Sequence, residues 1–442
     1  MTPTFKKRLF NWKTNILKPG LAKLYRKYQK NLQKTQFHEY NFQKRKELIQ
    51  HAVKNVPYYR EKYKDLVARC NFVESEEEFN RLPILSREEV HNHFALLISK
   101  DIKKSSHSKV STSGTTGPSV TVLHDKRAPH TPLQWRVLNW WDIAPYENKA
   151  FLYRYPRSLF KRIWNTLLWW PTRRIFLAGT VMDDRHVHRF LSHFNQIKPS
   201  LIQGYVDVIY HLALYLKDHA LKIYPPKAVW VTAGPLSTQQ REIMEEVFKA
   251  PVYDQYGSME IMYVSAECRE QNGLHIFQDV VHVECVDEEN QPLPKGAWGK
   301  LLVTDLTNYA FPLIRYEIGD YGRLLDRTCP CGLPFELMDH VKGRHTDVIH
   351  TPSGSRLQSE FLGAVFDDYP NTVRTFQFCQ AKDLSVELHY VRMNGKVDEQ
   401  VIQKVVQNIA SEAKGEIEIR PREVATIMDI NGKVPLIIKE GN

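Results

Sequence analysis

Cysteine is scarce in this chain. Its six copies among 442 residues, Cys70, Cys268, Cys285, Cys329, Cys331 and Cys379, lack the close, regular spacing of a disulfide framework. A reducing compartment is the expected setting. No apolar run reaches the roughly 18 residues of a membrane span, and the first residues have neither the apolar core nor the small-residue cleavage site of a secretory signal. The expected location is therefore the cytoplasm. Acidic residues are almost missing from positions 1–62, which hold 16 Lys and Arg against 3 Asp and Glu and so account for all of the formal net charge of +11. No zinc-finger, helix-turn-helix or RNA-binding signature accompanies this charge, and nucleic acid is not an expected partner.

In the basic segment, Phe5, Leu9, Phe10, Trp12, Ile16 and Leu17 recur among the lysines at helical spacing. Such a helix either lies on an anionic membrane surface or packs on the body with its lysines solvated. Membrane contact through the N-terminus is thus an expected partnership to weigh.

The length suits two or three domains. Residues 1–100 read as mostly helical, with SREEV at 86–90 resembling a capped helix start and no strand obvious before position 110. From 148 onward short apolar runs alternate with helical ones: KAFLYRY, RRIFLAGTV, LIQGY, KAVWVTAG and APVYDQYG separate amphipathic stretches. This alternation predicts an α/β domain with a largely parallel sheet. Beyond 280 short strands and turns predict a β-rich subdomain, 343–358 reads as a connector, and a small α/β unit closes the chain.

The stretch VSTSGTTGPS at 110–119 places six hydroxyl side chains and two glycines on one short segment. Glycine lets backbone N–H groups approach a ligand, and hydroxyls rotate to meet phosphate oxygens. An anion-binding loop is one reading and a polar surface loop the other. The spacing is not that of a Walker A loop, since no G-x-x-x-x-G-K-[ST] occurs.

TSGTTG at 112–117 resembles the phosphate-binding loop of the adenylate-forming enzymes. Tyr256-Gly257-Ser258-Met259-Glu260, Tyr316-Glu317-Ile318-Gly319-Asp320, Gly343-Arg344-His345-Thr346-Asp347 and Asn431-Gly432-Lys433 resemble, in the same order, the later motifs of that superfamily. NVPYYREKY, LIQGY, LTNYAFPLIRYEIGD and CPCG resemble the branch of phenylacetate–CoA ligases and their relatives in capsular polysaccharide biosynthesis. The resemblance implies an α/β fold with a large adenylate-forming N-terminal domain (α/β plus β-rich subdomain) and a small mobile α/β C-terminal domain. The corresponding divisions are 1–100, 101–342 and 343–442.

The same resemblance implies an ATP-dependent enzyme that converts a carboxylic acid to an acyl-adenylate, releases pyrophosphate and passes the acyl group to coenzyme A or another thiol or amine. Thr112, Ser113, Gly114, Thr115, Thr116 and Gly117 would cradle the phosphates. Glu260 would hold Mg²⁺, and Tyr256, with Gly257 and Ser258 of its motif, would lie on the nucleotide. Asp320 would accept from the ribose hydroxyls and Arg344 would reach the nucleotide. Lys433, with Glu260 and Thr116, would be catalytic, Lys439 being the competing lysine. The loop departs from the family in lacking a lysine after Pro118, and Met259 stands where threonine is usual. The contrasting class is a scaffold that keeps the fold, has lost catalysis and docks on membranes through its basic start.

Cys268, His275, Cys329 and Cys331 supply three thiols and one imidazole, the ligand set of a closed structural zinc site. The Cys-x-Cys spacing is tighter than the usual C-x₂-C, so four unrelated residues are the other reading. The acid, the acceptor and the oligomeric state are not legible in the sequence.

Overall fold

A computed structural model describes residues 2–34, 37–64, 73–111, 120–154, 159–341, 348–363, 365–366, 369, 372–393, 399–428 and 434–440. The basic segment forms two helices, α1 (Pro3–Leu17) and α2 (Pro19–Asn31), because Pro19 opens a new first turn. Then come α3 (His38–Asn55), α4 (Pro57–Lys62), α5 (Glu76–Asn80) and α6 (Arg87–Asn92). The SREEV start is a capping box in which Ser86 and Glu89 each take the other's backbone N–H. β1 (His107–Ser111) pairs antiparallel with β2 (Thr121–Asp125). A strand was not expected before 110; β1 is short, polar and mostly exposed, so it lacks apolar alternation and is held by its partner.

The α/β region follows as α7 (Thr131–Trp140), β3 (Lys149–Tyr153), α8 (Leu159–Trp169), β4 (Arg174–Ala178), α9 (Asp184–Ile197), β5 (Leu201–Tyr205), α10 (Val206–Asp218), β6 (Ala228–Thr232), α11 (Thr238–Phe248) and β7 (Val252–Tyr256). β4, β3, β5, β6 and β7 lie side by side and parallel. β3, β5, β6 and β7 are each buried over four consecutive residues, as expected of a parallel sheet covered on both faces. Beyond β7 the same sheet turns antiparallel through β8 (Ser265–Glu267) and β9 (Leu274–Ile276). β10 (Val281–Val286), β11 (Gly299–Asp305) and β12 (Tyr316–Gly322) form a separate antiparallel sheet. β13 (Leu324–Leu325) and β14 (Leu337–Met338) return to the edge beside β9.

β15 (Val348–His350) and β16 (Arg356–Gln358) make a hairpin within the stretch expected to be a connector. The final unit comprises α12 (Ser359–Gly363), β17 (Val373–Gln380), β18 (Val386–Arg392), α13 (Glu399–Glu412), β19 (Ile419–Glu423) and β20 (Ile437–Lys439). Its sheet runs β19-β18-β17-β20 and has its own apolar core, including Phe378, Leu388, Ile402 and Ile409.

The N-terminal helices share a core with the β-rich region: Tyr28, Leu48, Tyr59 and Leu85 belong to one buried cluster with Phe277, Val303, Phe311 and Tyr316. Buried polar groups fix that junction. Arg136 on α7 and Asp279 have fully buried side chains and pair at 2.7 Å, and Asn31 on α2 donates to the same Asp279 oxygen at 2.8 Å. The guanidinium also lies 5.0 Å from each of the Phe277 and Phe335 ring centres. Arg315 pairs with Glu284 at 2.9 Å and donates to the carbonyls of Asn80 and Leu82, which ties α5 to the β10–β12 sheet.

Replacing one partner of a buried pair leaves the other charge stranded. Asp279→Ala is expected to cost about 3–5 kcal/mol in urea unfolding, several times the effect of removing the exposed partner in Lys217→Ala.

Candidate functional site

Ligands of open α/β sheets lie outside the carboxyl ends of the strands. At that end of β7 the chain leaves the sheet at Tyr256 and makes a non-helical loop over 257–263. Gly257 is required there, because a Cβ would sit 2.3 Å from the Met262 carbonyl oxygen. Ser258 Oγ accepts from the N–H groups of Glu260 and Ile261, both at 3.1 Å, and this turns Glu260 inward to 3 % exposure.

Two side-chain links join this loop to β12. Tyr256 donates its hydroxyl to Asp320 Oδ2 at 2.7 Å, and Tyr316 donates to Glu260 Oε1 at 3.1 Å. Each segment contributes one tyrosine and one acid four residues apart. Glu260 Oε1 also pairs with Arg87 Nη1 on α6 at 3.1 Å. Burial, followed by the adjacent Glu260 charge, holds the Tyr316 hydroxyl well above its ordinary range, so it remains a donor.

Asp320 owes its position to a break in the ladder. Leu302 faces Glu317 and Lys300 faces Tyr321, so 318–320 take up extra residues opposite Leu301. Gly319 sits in that bulge at φ 88°, where a side chain would be strained. The β1–β2 ladder also reaches this region, where His124 Nε2 donates to the Met259 carbonyl at 2.9 Å.

The structure thus brings together Tyr256, Gly257, Ser258, Glu260 and Asp320. Thr112, Ser113, Gly114, Thr115, Thr116, Gly117, Arg344 and Lys433 lie outside the described residues. Lys439 lies on β20, opposite Gln380 of β17. Two residues of the cluster carried no expected role, Arg87 and Tyr316. Tyr316 heads the YEIGD motif, so its spacing from Asp320 was a usable signal. Arg87 gave none, since its partner is 173 positions away.

Cys268, following β8, His275 on β9, and Cys329 and Cys331 in the β13–β14 turn present four ligand atoms all within 4.8 Å of one another. Cys268 and Cys329 sulfurs are 3.6 Å apart, and Cys331 sulfur is 3.3 Å from His275 Nε2. Zinc–sulfur bonds of about 2.3 Å would give tetrahedral edges of about 3.8 Å, so the donors fit that ion. Burial lowers the His275 pKa to about 4, keeping the ring neutral. Burial also pushes the Cys268 and Cys331 thiols up, a state that a cation would reverse.

Beside this cluster, His340 bridges β7 and β8 through Asp254 at 3.0 Å and Glu267 at 3.1 Å. Burial opposes its charge, but hydrogen bonds to the two acids prevail and raise its pKa to about 10.

No family model matches the chain. It is 22% identical over 361 residues to Protein CapK of Staphylococcus aureus, covering 77% of this chain and 74% of that protein. Over 192 residues it is 29% identical to the phenylacetate-coenzyme A ligase of Thermus thermophilus, 42% of each chain. The solved 2-hydroxyisobutyryl-CoA ligase in the postadenylation state with 2-HIB-AMP superposes with a TM-score of 0.74 at 17% identity, covering 91% of this chain and 89% of that one. The fold is that of the adenylate-forming ligases. In sequence it is similar to CapK and to phenylacetate–coenzyme A ligases.

His340 generates a test of the region around the thiol cluster. Its folded pKa is raised above an unfolded value of about 6.5, so its stabilisation is complete below that pH and is lost as pH rises through about 10. Urea midpoints of the parent protein should fall over that window. In His340→Asn the decline should be shallower, and parallel curves would refute the linkage.

Proposed function

We propose that the chain is an ATP-dependent, AMP-forming carboxylate ligase that makes an acyl-adenylate and transfers the acyl group to coenzyme A or another thiol or amine. The observation that carries this reading is the paired linkage of Tyr256 with Asp320 and of Glu260 with Tyr316 at the carboxyl end of β7, on a fold shared with acyl-CoA ligases. Asp320 would accept from the ribose hydroxyls, a charge-assisted contact that orients a neutral diol. Tyr256, Gly257 and Ser258 would border the nucleotide, with Arg344 reaching it from the start of the C-terminal region. The hydroxyls and amides of 112–117, Thr116 included, would take the phosphates.

Glu260 would hold Mg²⁺, which takes up phosphate charge when bound. Arg87 and Tyr316 both engage Oε1 and so fix the carboxylate's orientation. Lys433 would bring an ammonium to the reacting carboxylate and α-phosphate. The retained Glu260, Asp320 and Lys433 favour catalysis over a scaffold that has lost it. Similarity to CapK supports a setting in polysaccharide biosynthesis. Cys268, His275, Cys329 and Cys331 would hold a structural Zn²⁺, pinning the β13–β14 turn to β8 and β9.

The test is a panel of carboxylic acids with ATP and Mg²⁺, using hydroxylamine to trap acyl-adenylate. At least one acid should give trapped product. Glu260→Gln, which keeps a partner for Tyr316, should slow formation by about 10²-fold, and Asp320→Asn should raise the KM for ATP roughly tenfold. Failure of every acid together with absence of ATP binding would sink the ligase reading. For the metal, elemental analysis of the protein purified without chelator should find one zinc per chain, and Cys329→Ser/Cys331→Ser should lose it with a lowered melting temperature; metal-free parent protein would count against the site.

A further inference from the structure

Helix α8 presents its apolar side to water. Phe160, Trp164 and Leu167 recur at i, i+4 and i+7, which places them on one face, and they are 76%, 60% and 62% exposed. None of the α8 side chains described is buried. An eleven-residue helix is marginal on its own in water, and a packed helix would turn this face inward.

A second outward face adjoins it. On α1, Phe10 packs into the body against Trp135 and Tyr146, while Phe5, Trp12 and Ile16, at i, i+7 and i+11, point outward and are more than half exposed. Lys13, beside Trp12, donates to the carbonyls of Leu167, Leu168 and Trp170 at 3.1, 3.0 and 2.8 Å. This caps the negative end of α8 and fixes the two helices together. Of the sixteen large apolar side chains exposed among the described residues, ten lie on α1 or at 160–170.

The surrounding charge selects the occupant. Residues 3–31 contain nine Lys and Arg and no acid, and residues 159–174 contain four and no acid. Two copies of such a face would repel each other. A basic rim around exposed Trp, Phe and Leu is complementary to an anionic bilayer surface, with the aromatic rings at headgroup level. We propose that α1 and α8 form one interfacial docking platform that seats the protein on an anionic lipid bilayer without spanning it. Among the described residues no helix is long and apolar enough to cross a membrane, which suits a surface mode.

Cosedimentation of the full chain with phosphatidylcholine vesicles, with and without phosphatidylglycerol, tests this. The parent protein should bind the anionic vesicles, less tightly at high salt, and weakly or not at all the neutral ones. Phe160→Glu/Trp164→Glu should lower partitioning by at least about tenfold while leaving the far-ultraviolet spectrum and melting temperature unchanged. Absence of binding to anionic vesicles, or equal binding by the variant, would overturn the proposal. So would a concentration-dependent dimer in vesicle-free buffer that the variant abolishes, because the face would then be a protein interface.

Discussion

The ion pair between Arg136 and Asp279 sits where three parts of the chain must meet. α7 carries the arginine, the loop entering β10 carries the aspartate, and α2 adds Asn31 to the same carboxylate oxygen. Both charged side chains are wholly removed from water. In that setting a partner is obligatory, and misplacing any one element strands a charge rather than merely loosening a contact. Arg315 repeats the arrangement at β12, where its pairing with Glu284 and its donation to Asn80 and Leu82 carbonyls hold α5 against the second sheet. Arg315 thereby fixes the start of β12, and β12 delivers Tyr316 and Asp320.

How much of this could be read from residue order depended on how local the signal was. The parallel strands were legible because KAFLYRY, LIQGY and KAVWVTAG are apolar runs bounded by helical periodicity, and burial on both faces requires such runs. The Ser86 capping box was legible because both partners lie within one turn. β1 was not, since its residues are polar and its stability resides in β2. Tyr256, Glu260 and Asp320 were legible through short motifs. Their linkage was not, because Tyr256 and Asp320 are 64 positions apart and no periodicity relates them. Arg87 belonged to a helix start in the sequence and reached Glu260 only through the fold.

The outward faces of α1 and α8 mark a related limit. A helical repeat of apolar residues indicates an amphipathic helix, but it does not say whether that face turns toward the protein or away from it. In α1 the apolar residues occupy two faces: Phe10 packs inward, and Trp12 faces out. The deciding contact is Lys13 on the carbonyls ending α8, a pairing of segments more than 150 positions apart.

The bulge at Gly319 has a consequence for how this site can change over generations. Sheet regularity and acid placement are opposed at that point: shortening 318–320 until β12 paired evenly with β11 would improve the ladder while drawing Asp320 away from Tyr256. Selection for stability alone would erase the irregularity. Under the proposed role of Asp320, a descendant that kept the fold without binding a nucleotide there would be expected to straighten this strand, so the length of the 316–322 segment would be as informative a trace of that role as the identity of its aspartate.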